Sequence, residues 1–381
     1  MLKQGSAVEA TASGRIPSLD GLRAFSIGMV LFAHVSGTRF FPSFVDARRD
    51  LGNLGVRIFF VISGFLITKL LIEEDASHGS VSLKHFYLRR VFRIFPPAYF
   101  YIGVAAVLTW QGLLDLHLND FAHALTYTLN YEQVRQWHFI HLWSLSVEEQ
   151  FYLLWPVAIC LIGVRKSVIL AGMVLIAAPL TRLGMWYFLP DLRWTIGTAF
   201  QTNADALAAG CVLAGILPWL SKNRSYLSFL TSKWFLVVPA AVFGAASLLA
   251  WAESDWRINI VSVSIGMTVM NVGIALCIDR CVRFESDFLG RMLNARPVVF
   301  VGVLSYSLYL WQEPFLDRTA NGLIHWFPLN LILTFAAALF SYYVVERPFL
   351  RLRRRFEGRL VRPSSVRQPR ADETPASTAA N

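Results

Sequence analysis

Charged residues are scarce in this sequence. Asp, Glu, Lys and Arg together make up 16% of the 381 residues, whereas a soluble domain carries about 25%. Hydrophobic residues make up 55% of the chain. The shortage of charge excludes an ordinary soluble domain, and the hydrophobic excess favours a chain that lies largely within a lipid bilayer.

Cysteine is also rare, and the usual signatures of metal or nucleic-acid binding are missing. Cys277 and Cys281 lie four residues apart but have no His or Cys companions, so we predict no metal site. Neither a Gly-rich phosphate loop nor a surface of interleaved basic and aromatic residues is evident. The net charge of +10 is therefore not a sign of a nucleic-acid partner, and we expect none.

The sequence instead contains a series of apolar runs, each long enough to cross a bilayer of about 30 Å. Backbone groups in lipid must be satisfied within the segment, so these runs should be helical. We predict an all-α, polytopic membrane helix bundle with about ten transmembrane helices. The predicted spans are residues 18–37, 54–73, 94–113, 141–163, 168–189, 197–220, 234–252, 258–280, 298–316 and 326–346. The weaker stretch Phe121–Tyr131 could add an interfacial or re-entrant helix.

Lys and Arg residues are distributed unequally between the two sets of loops. Ten spans put both termini on one side, and the loops of that side carry most of the basic residues, so we predict that both termini are cytoplasmic. We expect a multi-pass protein of the plasma membrane with a cytoplasmic segment (residues 1–15), a membrane domain (16–355) and a disordered basic tail (356–381). We expect no fused hydrolase-like extracellular domain.

Ionisable residues within the predicted first span are candidates for function because their burial in a membrane is costly. Arg23 and His34 are eleven residues apart, so they share one helix face and lie roughly 16 Å apart along the axis. The topology puts Arg23 in the cytoplasmic half and His34 in the outer half. Asp20 can pair with Arg23. The alternatives are a snorkelling ion pair at the helix end for Asp20 and Arg23, and a packing histidine for His34.

Two adjacent carboxylates open the predicted fourth span. Ser146 and Glu149 have the spacing of a capping box, which would be a structural role for Glu149. Glu148 has no such role and should lie at the depth of His34. A carboxylate beside a histidine can orient it, and such a pair can take a proton from a hydroxyl. We therefore predict His34, Glu148 and Glu149 as catalytic candidates.

Other polar residues form two further groups. Arg90 and Arg93 can share a helix face at the cytoplasmic surface and suit phosphate groups, although positive-inside anchoring is an alternative. Ser63 and Gly64 form a small-residue spot that favours close helix packing. The candidates at the outer depth, where an acceptor would bind, are Arg57, Asp205, Gln312 and Glu313.

Five sequence blocks, taken in order, resemble the acyltransferase 3 family of integral membrane O-acyltransferases. The blocks are Ile16-Pro-Ser-Leu-Asp-Gly-Leu-Arg23 through His34, Gly55–Ile67, Tyr87–Pro97, Leu142–Tyr152, and Ser305–Trp311 with Val345–Arg351. The resemblance implies transfer of an acyl group, often acetyl, from acyl-CoA to a hydroxyl of a sugar, cell-surface glycan or related acceptor. Acyl-CoA is thus the expected donor substrate, with no permanently bound cofactor.

The resemblance also assigns roles to individual residues. Arg23 and His34 match the family's Arg-ten-residues-His motif, Arg90 and Arg93 match its Arg-x-x-Arg motif, and Glu148 or Glu149 matches its acidic position. We therefore expect Arg23, Arg90 and Arg93 to bind the donor, with Asp20, Ser63 and Gly64 in support. A covalent acyl-histidine relay remains open.

Two positions depart from the family pattern. Arg57 stands where an acidic residue is common, and Gln312 stands where His is common. Both lie at the predicted outer depth, so they bear on the choice of acceptor and not on the reaction. The main alternative function is a multi-pass transporter or flippase of glycan-type substrates, since buried charges also serve transport. Internal repeats, which transporters often show, are not evident.

Overall fold

The protein is helical throughout the part that the computed structural model describes, which comprises residues 16–42, 50–254 and 260–360. The predicted all-α class is confirmed. The α-helices are α1 (Pro17–Val35), α2 (Asp50–His78), α3 (Leu83–Trp110), α4 (Leu118–Leu125), α5 (Trp137–Ile140), α6 (Leu142–Phe188), α7 (Phe200–Leu220), α8 (Arg224–Thr231), α9 (Val237–Ser254), α10 (Ile260–Arg283), α11 (Phe288–Leu293), α12 (Arg296–Trp311), α13 (Leu329–Ser341) and α14 (Arg347–Leu360).

Among the described residues, seven helices are long and apolar enough to cross a membrane, and a bent pair of helices (Arg224–Thr231 with Lys233–Leu249) raises the number to eight. One of the seven extends over 52 residues, Trp137–Phe188. A straight helix of that length would measure roughly 78 Å, well beyond the bilayer. Gly163 interrupts it with non-helical angles (φ 79°, ψ 159°), which favours two crossings. The chain is a multi-pass membrane protein; the number of ten and the cytoplasmic termini stay predictions.

Glycine residues allow the central helices to approach closely. A Cβ atom at Gly64 of α2 would overlap the carbonyl oxygen of Leu207 in α7, and one at Gly210 of α7 would overlap that of Val61. In the same way, Gly302 of α12 lies directly on the backbone of Asp20 in α1. Small residues are what permit such contacts between membrane helices. The helices α1, α2, α7 and α12 therefore form the centre of the bundle.

Several boundaries differ from the predicted ones. Helix α3 begins at Leu83 rather than residue 94, because the Ser82 hydroxyl accepts a hydrogen bond from the His85 N–H (3.4 Å) and caps the helix. Helix α14 continues to Leu360, so the first five residues of the predicted tail are helical. Residues 361–381 and the predicted N-terminal segment 1–15 lie outside the described residues. The weak stretch near residue 121 contains α4, a short helix.

Replacing Gly64 with Ala should destabilise the bundle, because the added methyl group meets α7 backbone that has little room to move. We expect a loss of about 1–3 kcal/mol, measured as a lower melting temperature of purified protein in detergent. Gly103→Ala is the matched control, since nothing lies within 4 Å of a Cβ atom at that position in α3. Equal melting temperatures for the two variants would contradict this account of helix packing.

Candidate active site

Three arginines line one cavity between helices α1, α2, α3, α6 and α12. The cavity has a volume of about 90 Å³, and Arg23, Arg90 and Arg93 all contribute to its wall. The sequence predicted these three residues together as the donor-binding group, and the structure brings them together. Among the described residues, Glu148 is the single carboxylate of the wall. The cavity is therefore net positive and suits an anionic ligand.

The local structure of α3 separates the cavity arginines from their neighbour. Arg90 and Arg93 are three residues apart and share one face of the helix. The Arg90 guanidinium lies over the ring of Tyr152, 4.9 Å from its centroid, which favours the cation. Arg89 instead forms an ion pair with Glu74 (3.0 Å). Arg23 is held by Asp20, whose Oδ1 lies 3.2 Å from Arg23 Nη1.

Glu148 is bound by hydroxyl groups of the same cavity. Ser63 donates a hydrogen bond to Oε1 of Glu148 (3.1 Å), and Tyr152 donates one to Oε2 (3.1 Å). Tyr152 also lies 3.0 Å from the Ser63 hydroxyl. Ser63 thus makes a polar contact within the cavity, whereas its neighbour Gly64 packs against α7. Glu148 belongs to the arginine cavity.

His34 is paired with a different carboxylate from the one predicted. Its Nε2 lies 3.5 Å from Oε1 of Glu313, whose side chain is fully buried. Its Nδ1 lies 2.8 Å from the carbonyl oxygen of Val30, one turn earlier in α1. Trp137 packs edge-on against the His34 ring and donates its indole N–H to the Glu313 carbonyl (3.0 Å).

The predicted orientation of His34 by Glu148 is therefore wrong. Helix α6 begins at Leu142. Glu148 therefore lies almost two turns, roughly 9 Å, along the helix from its first residue and deeper in the bundle. Glu313 lies two residues after Trp311, the last residue of α12, and this end of α12 reaches the end of α1. The sequence placed Glu313 at the outer depth, but as an acceptor-side candidate and not as the partner of His34.

A chain of buried rings connects the arginine cavity with His34. Tyr309 lines the cavity, and its hydroxyl shares a hydrogen bond with Ser144 (2.6 Å) and donates one to the His141 carbonyl (2.9 Å). The His141 ring packs between Tyr309 and Tyr101, with ring centroids 5.5 Å away in each case. It directly follows α5, whose first residue, Trp137, packs against the His34 ring.

The sequence interpretation assigned no role to His141 or Tyr152. His141 was overlooked because it stands at the first position of a predicted span, where a helix-end residue is unremarkable. The only available signal was a histidine next to the matched block Leu142–Tyr152. Glu346, inside another matched block, was also missed; it is buried, accepts a hydrogen bond from Ser307 (3.0 Å) and interacts electrostatically with Arg93.

The predicted capping box at Ser146 and Glu149 is wrong. Ser146 lies inside α6 and donates its hydroxyl hydrogen bond to the Leu142 carbonyl (2.9 Å), so it caps nothing. Glu149 interacts electrostatically with Arg90, but its Oε1 is buried without a hydrogen-bond partner among the described residues. Among the described residues, no hydrogen bond or ion pair joins Glu149 to His34.

Of the four acceptor-side candidates, Glu313 lies beside His34; Gln312 precedes it in the chain, and both are fully buried. Within the described part of the chain, neither polar atom of the Gln312 amide has a hydrogen-bond partner, nor has either ring nitrogen of His141. An unsatisfied buried polar group costs about 1–3 kcal/mol. Such groups in one place are typical of a site that binds a polar ligand.

Asp205 belongs to a buried ion pair that joins helices. Its Oδ1 lies 2.6 Å from Nη2 of Arg182, and both side chains are fully buried. Arg182 also donates to the carbonyl oxygens of Thr202 and Ser264, and Thr268 donates to Asp205 Oδ2 (2.6 Å). This network ties α6, α7 and α10 together. The sequence interpretation overlooked Arg182, although an arginine within the predicted span 168–189 was a sufficient signal.

Arg57 is held by two asparagines. It is buried, and its guanidinium contacts the amide oxygens of Asn271 and Asn203, each at 3.4 Å. It lines a second cavity of about 280 Å³. Arg57 thus contacts Asn271 and Asn203, and Asp205 pairs with Arg182, whereas Glu313 pairs with His34.

Fold and site together define a multi-pass membrane protein in which a half-buried imidazole paired with a buried carboxylate lies beyond an arginine-lined cavity. The acyltransferase 3 family profile, described as an acyltransferase domain, matches residues 16–346, and the chain belongs to this family. The predicted resemblance is confirmed.

Curated relatives agree with this family. The chain is 29% identical to "Putative peptidoglycan O-acetyltransferase YrhL" of Bacillus subtilis (strain 168), over 87% of this chain and 54% of the relative. It is 28% identical to "O-acetyltransferase OatA" of Staphylococcus aureus (strain NCTC 8325 / PS 47), over 87% of this chain and 57% of the relative. The chain thus spans little more than half the length of these relatives. No solved structure matches it.

Replacing Asp205 with Ala should lower the amount of folded protein, because it leaves the Arg182 charge buried without its carboxylate. Breaking a buried ion pair from one side costs about 3–5 kcal/mol. Size-exclusion profiles and melting temperatures of purified protein would measure the loss. Asp191→Ala, at an exposed position, is the control. A well-folded Asp205→Ala protein with a selective loss of activity would contradict the structural role.

Proposed function

We propose that this protein is a membrane O-acyltransferase that moves an acyl group, normally acetyl, from acyl-CoA to a hydroxyl of a cell-surface glycan. The observation that carries the proposal is the arrangement of two sites in series. An arginine-lined cavity suits the phosphates of the donor, and Tyr309 and His141 connect it with the His34–Glu313 pair. Family membership supports an acyltransferase over a transporter, which would not need this pairing of sites.

The donor would bind through its phosphate groups to Arg23, Arg90 and Arg93. Arginine forks match phosphate oxygens in two-point contacts, and the rings and carboxylates around them hold the guanidinium groups in place. A CoA thioester has a long flexible arm beyond its phosphates. In our proposal this arm extends along Ser144 and Tyr309 toward His34, so the thioester carbon arrives beside the imidazole.

The hydrogen bonds of His34 determine which nitrogen can act as the base. The Val30 carbonyl can only accept a hydrogen bond, so Nδ1 must carry the proton and donate to it. Nε2 is then left with its lone pair, facing Glu313 at 3.5 Å. Neither Glu313 oxygen has a hydrogen-bond partner among the described residues. An acceptor hydroxyl placed beside both groups could lose its proton to Nε2.

The proposed acyl transfer moves one proton and exchanges one bond at the thioester carbon. Nε2 of His34 takes the proton of the acceptor hydroxyl, and the oxygen forms a bond to the thioester carbon. The carbon–sulfur bond then breaks, and the proton on Nε2 passes to the departing sulfur to give free CoA. The Glu313 carboxylate stabilises the imidazolium that exists between these events, as a carboxylate beside a catalytic histidine does elsewhere.

In the predicted topology, acyl-CoA and the glycan acceptor would approach the protein from opposite faces of the membrane. Arg23, Arg90 and Arg93 lie toward the predicted cytoplasmic face, where acyl-CoA is made. His34 ends α1 at the opposite face, where a glycan would be available in the plasma membrane. The relatives named for O-acetyl transfer, one of them to peptidoglycan, make a glycan of the cell envelope the acceptor class that we propose.

Arg90→Gln and Arg93→Gln should weaken donor binding, since each loses a charge-assisted contact worth about 1.5–3 kcal/mol, or roughly 10- to 100-fold in the Michaelis constant for acetyl-CoA. Transfer of radiolabelled acetyl groups by inverted membrane vesicles, whose cytoplasmic face is outside, would measure this.

Arg89→Gln is the control for the donor experiment, because Arg89 is the adjacent arginine but pairs with Glu74 outside the cavity. The three variants should have similar expression. An equal effect of all three substitutions would mean that only the positive surface matters. Transfer by sealed right-side-out vesicles alone would contradict the proposed donor side.

His34→Ala should lower the turnover number by roughly 100- to 10,000-fold, the usual contribution of a general base, while donor binding remains. Glu313→Gln should lower it by at least about tenfold, because the amide cannot stabilise the imidazolium. Stopped assays with saturating acetyl-CoA would measure turnover, and binding of radiolabelled acetyl-CoA would measure donor affinity.

Glu73→Gln, at an exposed carboxylate paired with Lys69, is the control for Glu313→Gln. Near-normal turnover in His34→Ala would overturn the proposed mechanism. A severe loss in Glu313→Gln that came with lost donor binding would show a structural role for Glu313.

A further inference from the structure

A second cavity of about 280 Å³ lies near the same end of the bundle as His34. It is enclosed by the beginning of α2, the connections that precede α6 and α7, and parts of α9 and α10. Helix α2 begins at the end where α1 finishes, so the cavity and the imidazole share one end of the bundle. Its volume is near the lower limit for small-ligand sites, about 300 Å³.

The charged groups on the wall of this cavity have a single sign. Arg57 and Arg135 line it, and no carboxylate does so in the part of the chain that the structure describes. Arg135 Nη1 is buried and has no hydrogen-bond partner among the described residues. The acidic residue nearest to Arg135, Glu132, is paired with His123 at 2.8 Å. Burial lowers the pKa of Arg135 although Glu132 raises it, so an anionic partner would stabilise the cation.

The remaining wall suits a sugar. Trp143 offers an aromatic surface on which the apolar face of a sugar ring can pack, and Asn203 and Thr198 offer hydrogen-bonding groups. Met267 and Met270 supply an adaptable apolar side. A large aromatic surface with a few polar groups is typical of small-ligand sites.

The second cavity adjoins the arginine cavity. Val56 contributes to the walls of both. Phe60 of the arginine cavity packs edge-on against Trp143 of the second cavity, with ring centroids 6.1 Å apart. A ligand in the second cavity would therefore be separated from the donor site by a single layer of side chains.

We propose that the second cavity is an acceptor subsite that selects a sugar unit bearing an anionic group, a carboxylate or a phosphate, which Arg135 and Arg57 bind. This inference rests on the proposed function, because it makes the occupant of the cavity the acceptor.

Equilibrium binding by the full-length protein in nanodiscs, without donor, tests the subsite. The probes are the methyl glycoside of N-acetylmuramic acid, its carboxamide, and N-acetylglucosamine 1-phosphate. The first two differ only in one negative charge. We expect the acid to bind roughly tenfold or more tightly than the amide, and Arg135→Gln to remove the difference. Tighter binding of the phosphate than of the acid would identify phosphate as the anion.

Arg193→Gln is the matched control, because Arg193 is exposed and lies over Trp186 outside this cavity; its discrimination should equal that of the wild type. Equal affinity of the wild type for acid and amide, with no tighter binding of the phosphate, would overturn the subsite. So would discrimination that survives in both Arg135→Gln and Arg57→Gln. Because these measurements need no donor, failure of acetyl transfer with intact discrimination would reject the proposed function and leave the binding site in place.

Discussion

The cost of placing charge in a membrane is the constraint on which this structure depends. Several buried charges of the described bundle are met by groups from other helices or from the next turn of their own. Arg182 is held by Asp205 and by backbone carbonyls across three helices, with both side chains fully buried. His34 of α1 meets Glu313 beyond the end of α12. These pairings fix how the helices are placed relative to one another, so the same interactions hold the fold together and shape the site.

The charges also differ in how completely they are satisfied, and this difference separates structure from function. The Arg182 network has partners for almost every polar atom, which is what a structural tie between helices requires. Around His34, by contrast, Glu313, Gln312 and His141 retain buried polar atoms without partners among the described residues. A protein can tolerate that cost where a substrate supplies the missing partners. Burial alone would not distinguish the Arg182 network from the polar residues around His34.

Close helix contacts through glycine set the positions of the functional side chains. Gly302 allows α12 to lie on the backbone at Asp20, beside Arg23, and Gly64 allows α2 to lie on α7 directly after Ser63. Arg23 and Ser63 thereby reach one cavity although they belong to different helices. Two cavities then share Val56 and the Phe60–Trp143 contact as their partition. Two substrates could meet across such a partition without mixing their binding groups.

Local composition and spacing determined much about this protein: a helical membrane bundle, its family, and the grouping of Arg23, Arg90 and Arg93, because apolar length, helical periodicity and short motifs are properties of neighbouring residues. The tertiary structure alone decided which carboxylate meets His34, since the pairing depends on the depth at which α6 begins and α12 ends beside α1. The same holds for Arg182 with Asp205 and for the second cavity at Arg57. Such pairings join residues far apart in the chain, and no pattern within a single helix specifies them.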